Sequence, residues 1–155
     1  MTIELELQIA TNTKTLPHPS QFREWISVAL ESHLTTAELT IRIVDEAESA
    51  QLNSTYRKKA GPTNVLSFPA NIDAQFALPL LGDIVICAPI VEQQARNNNK
   101  ELLAHWAHMV IHGTLHLLGY DHQQPQQADA MEQLETKLLL QLGFKAPYTN
   151  KIAYE

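Results

Sequence analysis

Ile3, Leu5, Leu7 and Ile9 alternate with polar residues at the start of the chain, the period-two pattern of a half-buried strand. Pro17 to Ser20 breaks the pattern. With Ser20 placed as an N-cap, Phe22, Trp25, Ile26, Ala29 and Leu30 follow at helical spacing. Alternation returns at Leu39, Ile41 and Ile43, predicting a second strand that ends at Asp45, and a short helix is expected over Glu46 to Tyr56. Asn64 to Phe68 (NVLSF) and Asp83 to Cys87 (DIVIC) predict two further strands, the latter apolar enough to be central. Ile90 to Asn97 predicts a helix that the asparagine run Asn97 to Asn99 ends. Leu102 to Leu118 predicts a long helix, apolar almost all round and therefore buried, with Gly119 where a left-handed C-terminal cap belongs. A last amphipathic helix, Gln126 to Leu142, carries Met131, Leu134 and Leu138 and stops at Gly143. The expected fold class is α+β: a small mixed sheet of about four strands covered by helices, with one histidine-bearing helix at the centre.

The chain has 155 residues, without repeats or a dividing linker, so residues 1–155 are expected to form one domain. With 45% hydrophobic and 18% charged residues, the composition is that of a globular protein and excludes a disordered one. Cys87 is the one cysteine, so no internal disulfide framework exists and a reducing compartment is expected. The opening MTIELELQIA has no basic region, and no stretch reaches the ~18 uncharged apolar residues of a membrane helix. These features predict a cytoplasmic protein with no membrane partner. A net charge of -6 disfavours a broad nucleic-acid face, although the run Arg57-Lys58-Lys59 could hold one or two phosphates.

The chemistry concentrates in residues 112 to 122, HGTLHLLGYDH. His112 and His116 stand one helical turn apart, so their imidazoles project from one face. Gly119 can take positive φ and reverse the backbone, bringing His122 back as a third ligand. Three neutral nitrogens with no fourth protein ligand describe an open, catalytic zinc site holding one ion per chain, although imidazoles would also accept nickel or copper. The spacing matches that of metzincin peptidases, with one departure: their general-base glutamate is replaced by Gly113. A lone pair of histidines on a buried helix is more often structural, but a third beyond a cap glycine favours a metal. His105 and His108 lie on roughly the same stripe and are expected to be structural. Asp121 could orient a ligand imidazole or simply make the turn.

A second constellation spans Asn53 to Pro69, NSTYRKKAGPTNVLSFP. Arg57 is expected at a helix end, near a polar loop of Lys59, Thr63 and Asn64, and its planar fork suits a phosphate. An open zinc and an arginine are what phosphodiester hydrolysis requires.

These two segments, with the LLGDIVIC strand and the AHWAHMVIHG helix, make the chain resemble the YbeY family of bacterial endoribonucleases and rRNA maturation factors from about Thr40 to Leu142. The resemblance implies a metal-dependent endoribonuclease specific for single-stranded RNA, acting in 16S rRNA 3′-end maturation and ribosome quality control. Its implied partners are the rRNA precursor, the small ribosomal subunit and associated assembly proteins. By position, it places zinc on His112, His116 and His122, with Arg57 and His112 catalytic. Arg57, Lys59, Thr63, Asn64 and Ser67 are the expected substrate contacts, and Tyr120 could stack on a base or pack under the turn. Two other readings remain at this point. One is a non-catalytic ribosome-assembly factor with structural zinc; the other is a metallopeptidase using Asp83 or Glu101 as base.

Overall fold

The computed structural model describes residues 2–70 and 80–149, which form one mixed four-stranded sheet and five α-helices, an α+β fold. The strands are β1 (Thr2–Ala10), β2 (Thr36–Val44), β3 (Val65–Pro69) and β4 (Leu80–Cys87), in the order β1-β2-β4-β3. β1 and β4 flank β2 in parallel, and β3 closes the far edge antiparallel to β4. The helices are α1 (Pro19–Leu30), α2 (Glu46–Leu52), α3 (Ala88–Asn97), α4 (Leu102–Leu117) and α5 (Pro125–Gln141). Among the described residues no helix is long and apolar enough to cross a membrane.

Strand alternation divides the apolar residues between two faces. Leu39, Ile41, Ile43, Val65, Ile84 and Ile86 join Phe22, Trp25, Ile26 and Trp106 in the main core under the helices. Val44, Leu66, Val85 and Cys87 form a smaller cluster on the other face, which explains why DIVIC is apolar at every position after Asp83. On β1, Ile3, Leu5 and Leu7 pack on the main core, whereas Ile9 is exposed.

Two local details differ from the sequence expectation. His18, not Ser20, caps α1: Pro19 takes the first helical position, where its missing N–H costs nothing, and His18 Nδ1 accepts from the Ser20 N–H. Gln21 completes a capping box by accepting from the His18 N–H at 2.8 Å. The helix expected through Tyr56 ends as α at Leu52, and Asn53–Arg57 forms a single π-turn closed by Lys58 at φ 59°.

α4 is the buried centre of the fold, packed on α1, α3, α5, β3 and β4. It ends in a Schellman motif: Tyr120 N–H donates to Leu115 O and Gly119 N–H to His116 O, both at 3.0 Å, with Gly119 at φ 106°. Midway along α4, a Cβ at Gly113 would lie 2.8 Å from Ile84 Cγ2 on β4. The position that carries the base in metzincins is thus pressed against the sheet, and a glutamate would not fit there.

Gly113→Ala tests this contact with an unusual sign. Mid-helix Gly→Ala ordinarily stabilises by about 1 kcal/mol. Here urea unfolding should show a net loss of about 1–3 kcal/mol from overpacking on Ile84. A neutral or stabilising result would mean that α4 is free to move off the sheet.

Candidate metal centre

His112 and His116 project from the last two turns of α4, and the Gly119 reversal returns His122 to them. The His112 and His116 Nε2 atoms are 3.2 Å apart, and the ring centroids of His112–His122 and His116–His122 are 5.5 and 5.0 Å apart. One ligand nitrogen from each lies within 4.8 Å of the others. Tetrahedral zinc with ~2.05 Å bonds needs nitrogens roughly 3.3 Å apart, so the closest pair already has the required spacing. His112 is buried, while His116 and His122 are half-buried and face a pocket of about 350 Å³.

Burial, aided by the neighbouring His112 and His122, pushes His116 down to about 4, and burial likewise lowers His122. Each is therefore held in the neutral form that a metal requires. The donor set fits a divalent ion that prefers imidazole.

The same pocket is lined by Arg57 from the π-turn, Ser67 and Pro69 from β3, and Gly119 to Gln123 from the turn after α4. Ser67 Oγ donates to the Gly113 carbonyl at 3.3 Å, tying the edge strand to the histidine-bearing helix. Tyr120 lines the pocket with its hydroxyl 2.9 Å from His33 Nε2, so its ring is anchored from behind. Asp121 Oδ1 accepts the His122 backbone N–H at 2.7 Å, shaping the turn that presents the third histidine.

Lys59, Thr63 and Asn64 are not among the residues lining this pocket. The Thr63 backbone exchanges hydrogen bonds with Ser49 Oγ, both at 3.0 Å, and buried Asn64 donates to Gln94 Oε1 and accepts from the Val65 N–H. Asn53 Nδ2 donates to Gly61 O. These bonds hold the loop between the π-turn and β3. The basic run is split as well: Arg57 enters the pocket, whereas Lys58 Nζ donates to Thr55 O and Lys59 is exposed. Asp83 and Glu101 lie elsewhere, the first on the groove of the opposite sheet face and the second at the far end of α4.

Glu135 on α5 has no counterpart in the sequence expectation. It is fully buried, and its Oε2 accepts from His112 Nδ1 at 3.0 Å and from His108 Nε2 at 2.7 Å. Its Oε1 accepts from the Tyr148 hydroxyl at 2.6 Å. Burial alone would raise this carboxyl, but the hydrogen bonds from His108 and His112 outweigh it and leave the group well below the usual carboxylate range. The available signal was its place on the apolar stripe of α5, four residues after Met131 and three before Leu138.

His105 is bonded through Nε2 to Gln94 Oε1 at 2.9 Å, with its buried Nδ1 unpaired. Burial, with His108 and Lys100 nearby, pushes it down to about 3. The unfolded chain protonates His105 near its ordinary value of 6.5 while the folded chain does not, so acid favours unfolding. Between those two values its contribution to stability falls by about 1.4 kcal/mol per pH unit. The metal-free protein should therefore lose melting temperature from pH 6.5 downward, and His105→Gln should show a shallower slope. An equal slope in both proteins would mean that His105 takes up its proton in the folded state.

Comparison with known proteins gives the same frame. The solution structure of TM1509 from Thermotoga maritima superposes with a TM-score of 0.58 at 25% identity, covering 88% of this chain and 91% of that one. The family model described as endoribonuclease YbeY matches residues 7–143. That match takes in every strand but the start of β1, the π-turn with Arg57, His112, His116 and His122, and Glu135; the chain belongs to the YbeY endoribonuclease family.

Proposed function

We propose that the chain is a zinc-dependent endoribonuclease specific for single-stranded RNA, acting in the cytoplasm on the 3′ end of the 16S rRNA precursor and in ribosome quality control. The observation that carries this reading is the convergence of two sequence-distant constellations: Arg57 and Ser67 line the same pocket as His116 and His122. Membership of an endoribonuclease family supplies the reaction class.

His112, His116 and His122 would hold the ion. When bound, zinc supplies Lewis acidity and a water acidic enough to ionise near neutral pH. The protein's own contribution is positioning and charge. Arg57 binds the scissile phosphate through paired hydrogen bonds and stabilises the negative charge that builds on it. Ser67 forms the wall between phosphate and helix, and Tyr120 offers a fixed ring face to an unstacked base. Lys59 stays outside the pocket, and Thr63 and Asn64 serve by fixing the loop that joins the Arg57 turn to β3. A net charge of -6 leaves little general attraction for RNA, so productive binding rests on the small ribosomal subunit and its assembly proteins. A peptidase reading has no support in the pocket, because Gly113 is pressed on Ile84 and neither Asp83 nor Glu101 lines it.

The test is cleavage of a labelled single-stranded RNA carrying the precursor 3′ end, with bound zinc quantified in each protein. Wild type should carry zinc and cut, and His116→Ala should lose both. Arg57→Ala should keep its zinc and cut about 10²–10³-fold more slowly. Equal cutting by all three would trace the activity to a contaminant. A zinc-loaded wild type inactive on RNA and on intact subunits would assign the ion a structural role.

A further inference from the structure

We propose that Glu135 is the positioning residue of the metal centre, fixing His112 with its proton on Nδ1 so that the Nε2 lone pair faces the ion, and that Tyr148 locks Glu135 in place. The inference rests on the reading that His112, His116 and His122 bind the metal.

The geometry assigns the protons. An ionised carboxylate only accepts, so His112 Nδ1 and His108 Nε2 must donate to Oε2, and the Tyr148 hydroxyl must donate to Oε1. His112 Nε2 then has no proton of its own. It lies 3.2 Å from His116 Nε2. The lone pair that a metal needs is thus already aimed at the other ligands. Neutral imidazole free in water prefers its proton on Nε2, so the protein imposes the less favoured tautomer. Metal-bound histidines are commonly held this way, through the ring nitrogen away from the ion.

Charge supports the same assignment. Three imidazoles leave a bound dication uncompensated, and Glu135 places one negative charge a single ring away, inside a core where the field is weakly screened. His108, His112 and Glu135 could in principle hold an ion among themselves, since their ligand atoms also lie within 4.8 Å of one another. However, both carboxylate oxygens already accept from His108, His112 and Tyr148, which makes this group a clamp on His112.

The clamp extends to the end of the described chain. Tyr148 belongs to the short turn Pro147–Thr149 after α5, and its ring packs edge-on against His108 with centroids 5.3 Å apart. Lys100, just before α4, donates to the Pro147 carbonyl. Docking of this C-terminal turn is therefore part of forming the metal site, although Tyr148 reaches the ion only through Glu135 and His112.

The experiment combines ring-nitrogen NMR of the metal-free protein with zinc affinity by chelator competition. Wild type, Glu135→Gln, Tyr148→Phe and His116→Ala are compared, and the metal-free melting temperature of each is recorded. Wild-type His112 should carry its proton on Nδ1, a readout that simple core packing would not produce. Glu135→Gln, which keeps the shape and removes the charge, should bind zinc about 10–100-fold more weakly. Tyr148→Phe should show a smaller loss, about 2–10-fold, from one missing hydrogen bond. It provides the mutational test should Glu135→Gln fail to fold. Wild-type His112 protonated on Nε2, or zinc affinity unchanged in the folded variants, would overturn the role of Glu135. If His116→Ala bound zinc as tightly as wild type, the three-histidine site itself would fall, and the clamp with it. Tight wild-type binding lost in His116→Ala but unchanged in Glu135→Gln would sink the clamp alone.

Discussion

A Cβ on Gly113 would meet Ile84 at 2.8 Å, so α4 lies against β4 as closely as backbone and side chain allow. That approach fixes the depth and rotation of the helix. With Trp106, Met109, Val110, Ile111 and Leu115 buried around it, α4 has little freedom to rotate or slide. His112 and His116 consequently emerge at a set place, where helix, edge strand and turn meet. The Ser67–Gly113 hydrogen bond ties β3 to this same point, and a short loop joins β3 to the π-turn that ends at Arg57. A shift of the helix would thus move the three histidines and the Arg57 side of the pocket together.

The centre uses two kinds of physical environment at once. Toward the pocket, His116 and His122 are half-buried beside Arg57, Tyr120 and Asp121. Toward the core, His112 backs onto Glu135, His108 and Tyr148, where no water is needed to satisfy the polar groups. The wet side offers room for a substrate and the dry side offers rigidity. Such a division is common where a protein must present a ligand precisely and still leave the ion accessible.

The strongest sequence signals were those written in local spacing. The i, i+4 histidines, the glycine after the helix and the third histidine are short-range features, and α4 with its Schellman turn follows the pattern closely. The strands were equally readable, because alternation and apolar runs report directly on which faces are covered. The π-turn was not, since five residues at an altered pitch leave no distinct periodicity. Pro19 explains the displaced cap on α1: a proline at the first helical position outranks a serine one residue later. Glu135 required the tertiary fold. A glutamate on an amphipathic helix is ordinarily solvent-facing, and only its alignment with Met131 and Leu138 marked it as turned inward.

The central claim is that three histidines, arranged by α4 and the Gly119 reversal, hold one open metal site. X-ray absorption at the zinc edge of the loaded protein tests it most directly. The account predicts three imidazole nitrogens at about 2.0–2.1 Å and one further light-atom ligand from water. A shell with sulfur, or with four protein ligands and no exchangeable position, would contradict it.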